Sequence, residues 1–536
     1  MSPSVREQAL MPALQPIIAC PGAGEPVHWR TIFRNIFSNW AGYAVTAVIG
    51  FLLSPFIVHS LGATGYGLWT LVLSLTGYFG LLDLGIRSSV GRFVARYLAL
   101  DDHHSANRIL STAFAILATG GTLALLAIFV IVKFSFHAFH VDPQFESSAK
   151  IALVISGVAM SCALPLGVLS SLLVALERFD ILSGVTIVGE LLRAALIVFF
   201  LKHGYGLIAV ALIAFFITIT EYLAMGFCAW RLHPPLKLSP KLVDGDAFRE
   251  LFSFGVYRFI WIVANQLIFY SDSVVIGIFL SVGAITYFAI AGSLINYGRT
   301  FVSLVTDTFY PAATRLDAKQ DMAGLRDLLI LGTKVAMLIA LPLCFGFIFL
   351  GKQFIVLWMG KEYSSSALYL TVLTIAQFGA MSQYVSALVL AGMAKHRLLA
   401  YFIMAEGLVN VILSIILVRK IGLIGVAWGT VVPDIICMAV IVPWYTLRIL
   451  NLSVREYILR ALMGPAISAL PIVGIGYAFS RMVLTPSWAT FGGEVLIICS
   501  VFVATAYFVC LDRSQRAIVL GKISSVLGRG PAVHEA

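Results

Sequence analysis

The segment Gly206-Leu-Ile-Ala-Val-Ala211 occurs again, with a single change, as Gly422-Leu-Ile-Gly-Val-Ala427. The two copies lie 216 residues apart, and at this offset Ala175–Ala211 aligns with Ala391–Ala427 without a gap. Chance similarity between glycine-rich apolar segments is the alternative explanation. An ungapped match of this length indicates an internal repeat, and a repeat of this size predicts two similar halves in one chain.

A second pair of similar segments lies near the start of each predicted half. Gly62-Ala-Thr-Gly-Tyr66 resembles Gly283-Ala-Ile-Thr-Tyr287 at an offset of 221 residues. Together the two pairs divide the chain into a first half over 35–230 and a second half over 251–447. The remaining segments are a tail over 1–34, a proline-containing linker over 231–250, an appended segment over 458–511 and a tail over 512–536.

The composition indicates the environment in which these two halves fold. Of the 536 residues, 60% are hydrophobic and 12% are charged, and the mean hydropathy is +0.96. A soluble fold does not need so much apolar surface, whereas an apolar block of about 20 residues spans a bilayer as a helix. We therefore expect an all-α polytopic membrane protein with about 14 transmembrane helices. The predicted spans are 35–60, 63–84, 109–133, 150–175, 181–202, 206–230, 251–280, 282–309, 327–350, 365–391, 396–418, 421–447, 458–480 and 490–511.

Basic residues set the predicted orientation. Most of the 36 Lys and Arg residues fall in segments that are cytoplasmic if the N-terminus is inside, as the positive-inside rule requires. Both tails are then cytoplasmic. The net charge of +10 is explained by contact with anionic lipid headgroups, so no nucleic acid partner is expected.

The loops and cysteines narrow the function further. The external segments are short, the longest covering about 134–149, so no large external catalytic domain is predicted. The 7 cysteines form no CxxC motif and no Cys/His cluster. We therefore predict no disulfide framework, no metal site and no cofactor.

Each half contains an even number of predicted spans, so both halves have the same orientation in the membrane. We expect two six-helix lobes related by a pseudo-twofold axis along the membrane normal, followed by two extra C-terminal helices. Secondary transporters built from parallel repeats hold their substrate at the interface of the lobes and open it to either side in turn.

Charged residues within the spans are the candidate site residues, because a charge at membrane depth normally faces a partner or a water-filled cavity. Span seven carries Arg258 and Asp272, and span eight carries Arg299 and Asp307. If these spans line a cavity with spans one and two, the guanidinium groups can bind a phosphate or diphosphate. We assign Asp272 to the same substrate-binding set and Asp307 to ion coupling. The structural alternatives are that Arg258 reaches the cytoplasmic headgroups and that Arg299 pairs with Asp307.

Two glutamates and a third arginine complete the candidates. In the repeat, Glu190 of span five aligns with Glu406 of span eleven. Glu190 can pair with Arg193 on one helical face, whereas Glu406 has no such neighbour; both are candidates for binding a coupling ion. Alternatively, each is a hydrogen-bonded structural residue. After span two, Arg87 is spaced to pair with Asp83 and to meet a lipid headgroup, although positive-inside anchoring explains it as well.

The beginning of the first half resembles a known family. The stretches that carry the resemblance are Asn35-Ile-Phe-Ser-Asn-Trp40, Leu61-Gly-Ala-Thr-Gly-Tyr-Gly-Leu-Trp69 and Leu82-Asp-Leu-Gly-Ile-Arg87. They are similar to the amino-terminal part of bacterial polysaccharide flippases, which handle O-antigen and exopolysaccharide precursors. That family belongs to the multidrug/oligosaccharidyl-lipid/polysaccharide exporter superfamily.

The resemblance implies translocation of a polyprenyl-diphosphate-linked oligosaccharide from the cytoplasmic to the periplasmic leaflet of the bacterial inner membrane, for surface polysaccharide biosynthesis. It also implies cationic residues for the diphosphate, an expectation that falls on Arg258, Arg299 and Arg87. Coupling to a proton, a sodium ion or the membrane potential is expected, as is contact with the polysaccharide assembly machinery. The first span has no deep Arg or Lys, unlike the related peptidoglycan-precursor flippases.

Two other functions stay open at this point. A drug or cation antiporter of the same superfamily predicts twelve sufficient spans and a cavity lined by carboxylates. A membrane glycan polymerase or ligase needs a catalytic His, Asp or Glu group at one membrane face, and the histidines of this chain are dispersed in polar loops. We therefore expect a transporter and not an enzyme.

Overall fold

The helices of the chain follow the predicted spans. In a computed structural model, residues 29–482 and 487–510 are described, and every regular element within them is helical. The helices are α1 (Trp29–Tyr78), α2 (Ile86–Ala99), α3 (His103–Val130), α4 (Pro143–Ala175), α5 (Phe179–Lys202), α6 (Leu207–Leu232), α7 (Gly245–Phe279), α8 (Val282–Thr306), α9 (Phe309–Ala318), α10 (Met322–Met359), α11 (Ser366–Gly392), α12 (His396–Ile421), α13 (Leu423–Asp434), α14 (Val442–Leu450), α15 (Val454–Tyr457), α16 (Met463–Arg481) and α17 (Trp488–Cys510). Wider π-helical turns over Ile435–Ile441 and Ile458–Leu462 join α13 to α14 and α15 to α16. The predicted tails over 1–34 and 512–536 lie outside the described residues, apart from the start of α1.

The number of spans agrees with the sequence. In the described part of the chain, 13 helical segments are long and apolar enough to cross a membrane. The first of them, Trp40–Asp83, contains predicted spans one and two together. Counting this segment as two gives the predicted fourteen, and the all-α polytopic fold class is confirmed.

Glycines make two of the breaks between spans. Within α1, two helices meet at Gly62, which has φ 70° and ψ 175°. Between α12 and α13, Gly422 has φ 67°. A positive φ costs glycine nothing and is strained for residues with a Cβ. The repeat does not preserve this geometry, because Gly206, the counterpart of Gly422, has φ −98°.

The packing of the first half recurs in the second half. In the first half, α1 packs on α4 and α5, α3 packs on α4, and α6 packs on both α4 and α5. The equivalent spans of the second half make the same pairs: α8 with α11, α7 with α12, α10 with α11, and α13 with both α11 and α12. The appended helices α16 and α17 pack on each other and on α10.

The two halves meet where the repeated motifs lie side by side, a contact we call the seam. The hydroxyl of Thr286 donates a 2.5 Å hydrogen bond to the carbonyl oxygen of Ala63, next to the break in α1. About one turn along, Gly67 lies so close to the carbonyl of Val282 that a Cβ would overlap it. The seam therefore holds α1 against α8 through backbone contact.

Candidate functional site

A polar cavity lies inside the second half. It has a volume of about 250 Å³ and is enclosed by α7, α8, α11, α12 and the region where α13 continues into the π-helical turn. Its polar lining residues are Asn265, Arg299, Thr300, Ser303, Gln377, Tyr384, Glu406 and Asp434. Residues of spans seven and eight line it and, among the described residues, none of spans one and two does, so this is not the cavity that was expected between the two halves.

Helix α8 places Arg299 in this cavity, where it forms no ion pair with a carboxylate of the described part of the chain. Its guanidinium lies over the ring of Phe269, with Cζ 4.1 Å from the ring centroid. Its Nη2 donates a 3.4 Å hydrogen bond to Oδ1 of Asn296. Among the described residues no ion pair joins it to Asp307, the structural alternative that the sequence left open; Asp307 lies beside Tyr384 instead. The guanidinium thus keeps donors available for a ligand.

Two buried carboxyl groups share the cavity with this arginine. Glu406 and Asp434 are each only 6% exposed, and Glu406 contacts both Asp434 and the thiol of Cys437. Arg299 interacts electrostatically with Asp434. Within the described part of the chain, Oε2 of Glu406 and Oδ2 of Asp434 have no hydrogen-bond partner. Carboxyl groups in contact repel each other when both are ionised, so the pair suits a shared proton or a bound cation.

Asp434 is the member of the site that the sequence prediction left out. It stands in span twelve beside Pro433, and a π-helical turn begins at the next residue, Ile435. Such turns often occur at functional positions in helices. The carboxylate at membrane depth was the available signal.

The structure places the other predicted acidic residues of the second half outside this cavity. Asp272 is 6% exposed and accepts a 3.0 Å hydrogen bond from the hydroxyl of Thr430 on α13. Asp307 follows the end of α8 and is exposed. The side chain of Arg258 on α7 lies outside the described residues. Of the predicted residues whose side chains are described, the cavity therefore brings together Arg299 and Glu406.

Arg87 is held by the first half itself. Its Nε lies 3.2 Å from Oδ1 of Asp83, as the spacing predicted. Its Nη2 donates to the carbonyl oxygen of Ala163 at 2.9 Å, and its Nη1 donates to the hydroxyl of Tyr222 at 3.2 Å. The guanidinium packs directly on Gly167, where a Cβ would overlap it. These contacts tie α2 to α4 and α6.

Glu190 belongs to a charge cluster between α5 and α6. Arg193 lies 2.7 Å from Oε1 of Glu190, the predicted pair, and 3.5 Å from Oε1 of Glu221. The three side chains are 16% to 24% exposed. Both carboxylates share the same guanidinium as counter-ion, so this cluster contains one guanidinium for two carboxylates.

A larger apolar cavity, which the sequence did not predict, lies on the other side of α8. Its volume is about 810 Å³, and it is lined by α8, α10, α17 and one residue of α1. Helix α8 is the shared wall: Gly298 and Phe301 face the apolar cavity, while Arg299, Thr300 and Ser303 face the polar one. The apolar lining includes the aromatic rings of Phe51, Tyr297, Phe347, Phe354, Phe491 and Phe502.

The arrangement can accommodate a small polar group and a long apolar group side by side. A volume of about 250 Å³ equals that of roughly eight water molecules, enough for a phosphate-sized group and too small for a chain of sugars. The apolar cavity is roomy enough for an extended hydrocarbon and offers it few polar contacts.

Solved structures with this helix arrangement are known. "Lipid II flippase MurJ, inward closed conformation" matches with a TM-score of 0.68 and 15% identity, over 89% of this chain and 99% of that chain. "Inward-facing conformation of a multidrug resistance MATE family transporter of the MOP superfamily" matches with a TM-score of 0.65 and 12% identity, over 76% and 94%. At these identities the likeness concerns the fold.

Sequence comparison identifies the family. The "Putative O-antigen transporter" of Shigella flexneri is 21% identical over 404 residues, covering 74% of this chain and 93% of that protein. A family described as "Polysaccharide biosynthesis protein" matches residues 32–317. These findings confirm the resemblance that the first half predicted. Since the family match covers more than half of this chain, the chain belongs to the polysaccharide biosynthesis protein family, within the multidrug/oligosaccharidyl-lipid/polysaccharide exporter superfamily.

Proposed function

We propose that this multi-pass membrane protein is a flippase that moves a polyprenyl-diphosphate-linked oligosaccharide from the cytoplasmic to the periplasmic leaflet. The observation that carries the proposal is the double cavity around α8, which is polar on the Arg299 side and apolar on the Phe301 side. A lipid-linked glycan has the same two chemistries joined at its diphosphate. Helix α8 would lie against that junction.

Arg299 is the proposed ligand of the diphosphate. A guanidinium stays ionised at any physiological pH and offers a fork of donors that matches phosphate oxygens. Thr300, Ser303 and Asn265 supply further polar groups in the same lining. The polyprenyl chain would occupy the apolar cavity. Because the polar cavity is too small for the glycan, the sugars would extend toward the space between the halves.

Alternating access by two lobes, 35–230 and 251–447, is the proposed mechanism, with 231–250 as the linker and 458–511 as an appended pair. The recurrent helix pairs support this division. Breaking the seam near Thr286 and Ala63 would open one end of the lobe interface. We place both termini in the cytoplasm and the protein in the bacterial inner membrane, where the polysaccharide assembly machinery would receive the glycan. Glu406 and Asp434 are the proposed site of a coupling ion.

The test is the leaflet location of lipid-linked glycan in cells depleted of the protein. Depletion should trap the glycan in the cytoplasmic leaflet, and Arg299→Ala at matched expression should fail to release it. The matched control is Arg481→Ala, because Arg481 also stacks over an aromatic ring, with Cζ 5.3 Å from the centroid of Tyr477, but lies outside both cavities. Normal periplasmic delivery in depleted cells would refute the proposal.

A drug or cation antiporter is the second candidate, and one observation favours it. The polar cavity contains the carboxyl groups of Glu406 and Asp434, which suit a cationic substrate. Dye efflux from cells that overproduce the protein distinguishes the two functions. Efflux that requires Glu406, together with normal glycan delivery after depletion, would favour the antiporter. The enzyme alternative is disfavoured because the O-antigen relative is described as a transporter.

A further inference from the structure

An aromatic ring on α7 lies against the guanidinium of Arg299. The Cζ atom of Arg299 is 4.1 Å from the centroid of the Phe269 ring, and Nη2 donates a 3.4 Å hydrogen bond to Oδ1 of Asn296. A group this close to the centroid lies over the face of the ring, because in the ring plane it would overlap the ring hydrogens. The face of an aromatic ring is negative and attracts a cation. Phe269 is therefore a partner for the charge of Arg299 as well as an apolar neighbour.

This contact holds the guanidinium away from the nearer membrane face. Arg299 stands seven residues before Thr306, the last residue of α8, which is about 10 Å along the helix. An arginine so close to a helix end normally extends its side chain to the lipid headgroups there. Asn296, however, lies one turn before Arg299 on α8, so the side chain extends toward the start of the helix.

The ring itself lies at the centre of its span. Phe269 is ten residues from either end of the spanning segment Phe259–Phe279, which is about 15 Å in each direction. A charge at this depth requires a partner or a polar cavity. Phe269 and Arg299 both line the polar cavity, so the ring draws the guanidinium into that cavity and toward the middle of the bilayer.

We infer, on the basis of the proposed function, that Phe269 is a positioning residue, which holds the guanidinium of Arg299 ready for the diphosphate. The five N–H donors of a guanidinium lie in one plane and point outward from its edge. A ring stacked on the guanidinium attracts the charge through its face and leaves this edge to a ligand. Ring and phosphate can therefore bind the same guanidinium together, whereas a carboxylate would occupy the donors that the phosphate needs.

The effect of the ring on affinity follows from preorganisation. A ligand binds more weakly in proportion to the fraction of molecules whose site is not in the binding arrangement. Phe269→Leu keeps an apolar side chain and removes the aromatic face, so it should raise the Kd for a diphosphate roughly tenfold. Phe269→Trp should restore the wild-type affinity, because Trp has the strongest face for a cation. The ring of Phe269 is 42% exposed, which leaves room for the larger side chain.

Fluorinated phenylalanines at position 269 give the sharpest test. Each fluorine withdraws electrons and weakens the negative face, while the side chain keeps nearly the same shape. Calorimetric titration of the purified full chain with farnesyl-diphospho-N-acetylglucosamine gives the Kd for rings with an increasing number of fluorines. The Kd should rise with each fluorine, reaching roughly tenfold for the trifluorinated ring. A Kd that stays constant along the series would overturn the inference, because a ring that only fills space does not respond to its electron distribution.

Phe279 provides the matched control. It lies on the same helix, and its ring is also stacked on an arginine, with Cζ of Arg419 4.8 Å from the centroid. Neither residue of this second stack lines the polar or the apolar cavity. The same fluorine series at Phe279, and Phe279→Leu, should leave the Kd unchanged. An equal rise of the Kd at both positions would show a general effect of fluorine on the protein and overturn the assignment to Phe269.

Arg299→Ala distinguishes this inference from the proposed function. The variant should lose binding of the probe, and Phe269→Leu added to it should cause no further loss, because the ring acts through the guanidinium. Binding that survives Arg299→Ala would refute Arg299 as the diphosphate ligand, and with it the positioning role. Binding that is lost in Arg299→Ala but is unchanged along the Phe269 series would overturn the positioning role alone.

Discussion

Replacing Gly167 with alanine tests whether Arg87 is a structural residue of the first half. The added Cβ would overlap the guanidinium of Arg87. Pushing the guanidinium away breaks the contacts to Asp83, to the carbonyl of Ala163 and to the hydroxyl of Tyr222. Polar contacts inside membrane proteins average about 0.6 kcal/mol each, with a maximum near 1.7 kcal/mol. Losing all three should therefore lower the free energy of unfolding by about 2 kcal/mol.

A double-mutant cycle isolates the cause. Gly167→Ala and Arg87→Ala should each destabilise the protein, and the double variant should cost little more than Arg87→Ala alone, because the added Cβ then has no guanidinium to displace. Gly184→Ala is the matched control, since a Cβ there meets nothing within 4 Å. The assay is equilibrium unfolding in lipid bicelles. Additive losses in the double variant would show that Gly167 acts through another contact and refute the reasoning.

Three further outcomes are expected. Gly67→Val should force α1 away from the carbonyl of Val282 at the seam, so an added Ala63→Cys should react faster with an impermeant maleimide; an unchanged rate would mean that the seam does not seal that end. Phe301→Asp should weaken binding of a farnesyl-linked diphosphate by roughly a hundredfold, because a charge in an apolar site costs about 2.5 to 3.5 kcal/mol, and should leave inorganic pyrophosphate binding intact; equal losses for both would place the prenyl chain elsewhere. Arg193→Gln should cost about 1 kcal/mol in the same unfolding assay by leaving two carboxylates without their cation, and Glu221→Gln added to it should recover part of that; a further loss would contradict the ion-pair interpretation.

The fold could be predicted because each span carries its own signal. An apolar block of membrane length forms a helix whatever it packs against, so the spans needed no knowledge of the tertiary structure. The breaks between spans could also be predicted, because the repeated motifs start with Gly62 and Gly422. Both glycines adopt positive φ. The length of the connection between spans one and two could not be predicted from the sequence. Spans one and two are joined at a single residue because Gly62 alone makes the turn.

The similar depth of Glu406 and Asp434 in the membrane could be calculated from the sequence. Gly422 turns the chain between α12 and α13, 16 residues after Glu406 and 12 residues before Asp434. At a rise of 1.5 Å per residue, the two carboxyl groups stand about 24 Å and about 18 Å from the turn, a difference of about one helical turn. What the sequence could not give is the side on which each carboxyl projects. The π-helical turn that starts at Ile435 changes that direction locally.

Arg87 shows that the sequence can predict a local ion pair but not the distant contacts of a charged residue. Its spacing to Asp83 predicted the ion pair correctly. Its other partners come from α4 and α6, more than seventy residues away. The space that admits the guanidinium exists only because residue 167 is glycine. No local sequence pattern connects positions 87 and 167. The contacts that surround the guanidinium of Arg87 could therefore not be considered when a headgroup contact was predicted.

The repeat also shows where the two halves have diverged. At the offset of 216, Glu190 corresponds to Glu406 and Glu221 corresponds to Cys437, and both pairs are in contact or share one partner. Arg193 pairs with both carboxylates of the first cluster, whereas the position equivalent to Arg193 in the second half is Val409. The second half adds Asp434 and has its guanidinium, Arg299, on α8 instead. Each half therefore has one guanidinium for two carboxyl groups at this position, and among the described residues it forms ion pairs with them in the first half. The duplicated scaffold thus holds similar charges in two arrangements: in the first half a guanidinium lies close to both carboxylates, and in the second half the two carboxyl groups contact each other.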